Sequence, residues 1–226
     1  MRCLPRKTKL GHAGTLDPIA SGVLLVCVGP ATRLIPYIHQ YSKCYRGTFQ
    51  FGQYSETDDI EREPTPVDLP SSVTEDSIRS VLSDFRGEID QVPPRFSAVR
   101  VNGERAYDVA RRGEDFELEP KKVNILSLQA EYQTPTLTLD VECGTGTYIR
   151  SLGRDIANKM STQCVMTDLV RTGIGPFTLE SALNIDDLTT ELIHAELHSP
   201  VGLDHYPQFI PDEQQIDHLR HGASSI

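Results

Sequence analysis

The chain has 226 residues, of which 38% are apolar and 24% charged; this suits one globular domain with room for an appendage and excludes disorder throughout. Its longest apolar run, residues 22–28, has the length of a strand and falls far short of the ~20 residues that span a bilayer. The basic start, MRCLPRKTKLGH, is not followed by a secretory apolar core, so the sequence reads as that of a cytoplasmic protein. A formal charge of −10 argues against nucleic acid, yet it is unevenly spread: residues 1–50 carry seven Lys/Arg against Asp17 alone, and residues 172–226 carry nine acids against Arg220 alone. That distribution fits a phosphate-binding face, and equally a solvated charge without a partner.

The first element is a loop, residues 11–22 (GHAGTLDPIASG), that surrounds one carboxylate, Asp17, with small and turn-forming residues. Gly11, Gly14 and Gly22 reach backbone angles closed to other residues, and Pro18 fixes φ directly after the acid. Such a loop can hold a nucleophile in one orientation, or it can be an ordinary Asp-Pro turn. Residues 23–28 read as a buried strand, and residues 31–40 as a short helix. Residues 45–51 alternate as a half-buried strand closed by Gly52, and residues 55–72, rich in acids, Pro and Thr, as an exposed loop. A helix is expected over residues 74–85, with Ile78, Val81, Leu82 and Phe85 on one face and Gly87 just beyond it.

Residues 92–101 form a rigid extended entry to the hairpin turn Asn102-Gly103. A short helix over residues 106–112 stops at Gly113. Strands are expected at residues 123–132 and 137–143, and the turn Gly144-Thr145-Gly146 leads into a helix over residues 147–160. A further helix lies near residues 185–197, before a Pro-containing tail. Strands mixed with helices and hairpin turns indicate α+β, with one mixed, largely antiparallel sheet and helices packed on it.

Few motifs carry chemistry. Gly144-Thr145-Gly146 lacks the rest of a P-loop or dinucleotide fingerprint, so no nucleotide cofactor is read there. The five cysteines are odd in number and form no C-x-x-C pair, and the seven histidines show no metal spacing; no disulfide framework and no metal is assigned. Tyr148 and Arg150, near the start of a helix, could supply a ring, a hydroxyl and a cation for a carboxylate or phosphate, or be a core tyrosine and a surface arginine.

Taken together, five segments resemble one family in order: residues 11–38 (GHAGTLDPIASGVLLVCVGPATRLIPYI), 43–59 (KCYRGTFQFGQYSETDD), 91–113 (QVPPRFSAVRVNGERAYDVARRG), 141–156 (VECGTGTYIRSLGRDI) and 169–183 (LVRTGIGPFTLESAL). They resemble the TruB-type tRNA pseudouridine synthases over about residues 7–220. The resemblance implies the pseudouridine synthase fold with a central RNA-binding cleft, and isomerisation of uridine 55 in the T-loop of tRNA without cofactor or metal. It assigns Asp17 as the catalytic carboxylate and Tyr45 as the ring that stacks on the target uracil. Arg150 becomes the partner of Asp17, Tyr148 and Leu169 line the uracil pocket, and His12 lies beside the flipped nucleotide. It further implies a catalytic domain over residues 1–190 lacking the family's N-terminal segment, and residues 191–226 as the start of a truncated C-terminal RNA-binding region. The expected partner is the tRNA T-stem-loop, and the expected state a monomer with no membrane association. The alternative is a tRNA-binding or tRNA-folding protein whose truncation has cost it turnover.

Overall fold

The computed structural model describes residues 3–199 and 211–220. By internal contacts the chain divides into a large unit, Thr8–Leu183, and a small one drawn from the residues before and after it. The large unit begins with three short strands, β1 (Leu10–His12), β2 (Ala20–Gly22) and β3 (Val26–Val28). β1 and β3 pair antiparallel as a separate ribbon. The apolar run 23–28 is therefore not one buried strand: Val23 and Cys27 are buried, but Leu24 and Val26 are each 47% exposed, because a two-stranded ribbon covers only one of its faces.

The helix expected over residues 31–40 divides into a 3-10 segment, Gly29–Leu34, and a single turn, α1 (Ile35–Ile38). Pro36 explains the division, since it lacks the N–H that a continuous helix would need there. β4 (Lys43–Phe51) follows, with Gly47, Phe49 and Phe51 facing inward, and then the short pair β5 (Gln53–Tyr54) and β6 (Thr65–Pro66). Between them lies the largest departure from the sequence reading. Residues 55–59 are not an exposed loop: Ser55, Thr57 and Asp59 are buried while Glu56 and Ile60 face out. The segment is a tight turn, with Asp58 N donating to Ser55 O at 3.1 Å and Asp58 at φ +59°; it carries polar side chains inward and is held to the sheet by a parallel bridge from Asp59 to Met166.

α2 (Glu75–Val81) starts at a capping box formed by Thr74 and Ser77 and runs into a 3-10 turn, Leu82–Phe85, as a buried Ile78, Leu82 and Phe85 face requires. Gly87, at φ +79° just past the cap Arg86, takes the left-handed angle of a residue ending a helix and opens β7 (Gly87–Gln91). The tight hairpin β8 (Arg100–Val101) and β9 (Glu104–Arg105) turns through Asn102 and Gly103, both at positive φ, as the expected two-residue turn demands. α3 (Ala106–Arg111), β10 (Lys121–Gln133), β11 (Thr136–Cys143) and α4 (Ile149–Lys159) fall where the periodicity places them.

β12 (Cys164–Ile174), which periodicity does not reveal, and β13 (Phe177–Thr178) complete a seven-stranded sheet in the order β13-β12-β4-β11-β10-β7. All its pairs are antiparallel except β2, which lies parallel to β12. α4 lays Ile149, Leu152, Gly153, Ile156 and Ala157 inward, toward β4 and β12. Its approach depends on Gly153, where a Cβ would stand 2.1 Å from the Phe49 ring. The small unit holds the helices α5 (Thr190–Ala195) and α6 (Glu213–Arg220). The fold is thus α+β with a mixed, largely antiparallel sheet. Among the described residues no helix is long and apolar enough to cross a membrane. The part of the tail at residues 200–210 lies outside the described residues.

Candidate active site

The 11–22 loop crosses from the β1–β3 ribbon to the main sheet, and its turn is closed by a hydrogen bond from Ala20 N to Asp17 O. Asp17 projects from this turn with its side chain 34% exposed. Arg150 Nε donates to Asp17 Oδ2 at 3.0 Å, while Oδ1 accepts no hydrogen bond among the described residues. One carboxylate oxygen is therefore fixed and the other is open.

Arg150 occupies the second position of α4 and is 5% exposed. Burying a guanidinium is costly unless its donors are satisfied. Here Nη1 donates to Thr57 O at 2.8 Å, and Nη2 to Phe96 O at 3.2 Å. The second charge partner is Asp59, fully buried, with Oδ2 3.3 Å from Nη1. Arg150 thus sits between two carboxylates, one reaching the cleft and one sealed inside. The start of α4 is fixed by Gln91, which accepts from Tyr148 N and donates to Tyr148 O. This side chain replaces the capping residue that the helix lacks.

Tyr45 stands on β4 opposite Val141 on one side and Arg171 on the other. Burial pushes its phenol up; the nearby Cys143 and Asp17 act in the same direction, and the guanidinium of Arg171 opposes them. Tyr148 immediately precedes α4. Its phenol is also raised by burial, with Asp17 and Arg150 pulling in opposite directions. Leu169 is buried on β12, paired with Ala20 of the Asp17 loop and with Gly47 of β4. The structure therefore brings Asp17, Arg150, Tyr45, Tyr148 and Leu169 into one neighbourhood. His12 stands apart, exposed on β1 with Val26 as its strand partner and without a contact to Asp17 among the described residues.

Sequence reasoning did not find Asp59, Thr57, Phe96 or Arg171. Asp59 and Thr57 lie in the stretch read as an acidic loop, where no periodicity marks them because the segment is a turn. Arg171 is the bulkiest fully buried side chain, 2% exposed, in a strand whose charged centre conceals it. Among the described residues no cluster of three His, Cys, Asp or Glu side chains is placed to hold a metal ion.

A mixed sheet carrying an Asp–Arg pair between two tyrosines is the arrangement that the resemblance to pseudouridine synthases implies. The fold is similar to a solved Cbf5-Nop10-Gar1 complex, with a TM-score of 0.61 and 29% identity over 82% of this chain and 46% of that one. The family model described as TruB family pseudouridylate synthase (N terminal domain) matches residues 2–149, and the chain belongs to this family. It is 42% identical to the tRNA pseudouridine synthase B of Rhodopirellula baltica, over 96% of this chain and 66% of that protein. It is 40% identical to the tRNA pseudouridine synthase B of Clostridium perfringens, over 99% of this chain and 77% of that protein.

Proposed function

We propose that the chain isomerises a uridine of tRNA, position 55 in the T-loop, to pseudouridine, acting in the cytoplasm as a monomer and with Asp17 as the catalytic carboxylate. The observation that carries this reading is the Asp17–Arg150 contact, which fixes one carboxylate oxygen and leaves the other open to a cleft. The reaction breaks the C1′–N1 bond, holds the freed uracil while it turns, and joins C1′ to C5; the C5 proton is lost and N1 gains one. An oriented carboxylate, an enclosed pocket and a ring against the base are what that sequence of events needs. Tyr45 supplies the ring, and base-to-aromatic stacking of ~1–3 kcal/mol offsets the stacking lost when the nucleotide is flipped out. Leu169 and Tyr148 bound the pocket, and His12, on the exposed ribbon, lies on the side from which the flipped nucleotide enters.

Tritium release from a T-stem-loop carrying 5-tritiated uridine tests this directly. Turnover by the wild type, reduced roughly 10⁴-fold or more in Asp17→Asn, is the expected outcome. Undiminished release from the variant would remove Asp17 from its role. Tight stem-loop binding by folded wild type, with no pseudouridine after long incubation, would favour a binding or folding protein instead.

A further inference from the structure

We propose that Arg171 is a positioning residue that fastens both ends of the Asp17 loop to the Tyr45 ring, so that one guanidinium sets the carboxylate and the stacking face relative to each other. The proposal rests on the reading of the cleft as a uridine isomerase site. Its basis is a buried cation with an unusual set of partners. Arg171 forms no ion pair among the described residues, and its guanidinium donates to backbone carbonyls in the active-site loop and directly after it. Nε donates to Val23 O at 2.7 Å, just past the end of the loop. Nη1 donates to Thr15 O at 3.3 Å and Nη2 to Gly14 O at 3.2 Å, just before Asp17. Tyr45, the cross-strand partner of Arg171 on β4, completes the set, and the guanidinium charge acts on its phenol.

The backbone of the same residue grips the loop a second time. Arg171 O accepts from Val23 N at 2.8 Å, and its Cα is paired with Gly22. At Gly22, which has φ +101°, a Cβ would lie 2.2 Å from Arg171 O; only glycine permits this approach. A buried charge without a carboxylate is expensive, and the same packing could be had from an apolar side chain at lower cost. What an apolar residue could not do is bind carbonyls on both sides of Asp17 while its charge acts on a phenol on the neighbouring strand. An arginine can, because its donors diverge in a rigid plane.

The test uses Arg171→Lys, which keeps the charge but loses the fork, on the T-stem-loop. The expected outcome is a fall in kcat of about 100-fold, the scale of a displaced catalytic group, with KM within about threefold of wild type. In 13Cζ-tyrosine-labelled protein the Tyr45 resonance shifts and titrates at higher pH than in wild type, while that of Tyr54, on β5, stays in place. Wild-type kcat with an unmoved Tyr45 resonance overturns the proposal. A second measurement needs no variant: in 15N-arginine-labelled wild type the Arg171 Nη protons should be resolved and slow to exchange, and rapidly averaged protons would rule out the clamp even if Arg171→Lys fails to fold. Wild type that makes no pseudouridine overturns the isomerase reading, whereas the two spectroscopic measurements still decide whether the clamp exists.

Discussion

Arg150 connects the chemistry to the interior through Asp59. Among the described residues the Asp59 Oδ2 atom accepts no hydrogen bond, and its nearest cation is Arg150; its other oxygen accepts from Glu61 N. Without that carboxylate Arg150 would keep Asp17 as its one ion-pair partner among the described residues and would be freed to turn toward it, so both the fold and the placement of the open oxygen depend on a residue that is sealed inside. Removing one partner of a buried pair typically costs about 3–5 kcal/mol, because the remaining charge is left uncompensated. Asp59→Ala should therefore lower the unfolding free energy obtained from urea denaturation by that order and also reduce tritium release. An equally stable and fully active variant would show that Thr57 O and Phe96 O suffice to hold the guanidinium.

At the scale of elements, α4 is the part on which the site is built, since it carries Arg150 at one end and seats on the sheet at Gly153. A methyl group at 153 would enter the Phe49 ring, and a helix held by its neighbours cannot withdraw without moving Arg150. Gly153→Ala should thus destabilise by about 1–3 kcal/mol or more, despite alanine's better helix propensity, when measured by equilibrium denaturation. The same helix is tied to the 55–59 segment by Arg154, whose Nη1 lies 3.0 Å from Asp58 Oδ2. Burial raises the Asp58 carboxyl above its ordinary 3.8, only partly opposed by Arg154 and Arg150. Between 3.8 and its raised value the folded chain binds more protons than the unfolded one at this site, so its contribution is complete below 3.8 and declines as pH rises through the window. The stability of wild type minus that of Asp58→Asn should fall with increasing pH there, and a difference that rises or stays level contradicts the assignment.

These elements also show what a single sequence can reveal. α2, α4, β10 and β11 were legible because their apolar residues recur at 3.6 or 2.0 positions, and the Asn102-Gly103 turn because few other residues adopt its angles. The glycine-rich surroundings of Asp17 marked a turn that could equally be structural, and only the resemblance singled out its carboxylate. Residues 55–59 and β12 were not, because they turn polar groups inward: Thr57 and Asp59 partner Arg150, and Arg171 binds the carbonyls of Gly14, Thr15 and Val23, contacts between residues far apart in sequence of which hydropathy carries no trace. His12 is the opposite case, a residue assigned through resemblance that stands on the exposed ribbon, with no hydrogen bond to the site among the described residues.

For the whole molecule, a net charge of −10 opposes association with RNA, so binding must be carried by a local field. One candidate is a cleft beside the active site lined by Arg62, Arg95, Phe96, Arg111 and Arg112, and it adjoins the catalytic centre through Phe96, whose carbonyl holds Arg150. Most of these cations are already engaged: Arg62 with Glu56, Arg95 with Asp115, Arg112 with Glu104 and Glu114. Arg111 forms no ion pair among the described residues and stands at the last position of α3, where its charge is available to a phosphate. If the stem-loop backbone follows this cleft, Arg111→Ala should weaken binding and reduce the slope of log affinity against log salt concentration by about 0.7–1, with kcat at saturating RNA unchanged. The engaged arginines should respond differently, since neutralising Arg112 also releases two carboxylates into the path of the RNA. Arg112→Ala is therefore expected to weaken binding more than Arg111→Ala at low salt, with the gap between them closing as salt screens the exposed acids. Identical salt slopes for wild type and both variants would place the RNA backbone elsewhere on the surface.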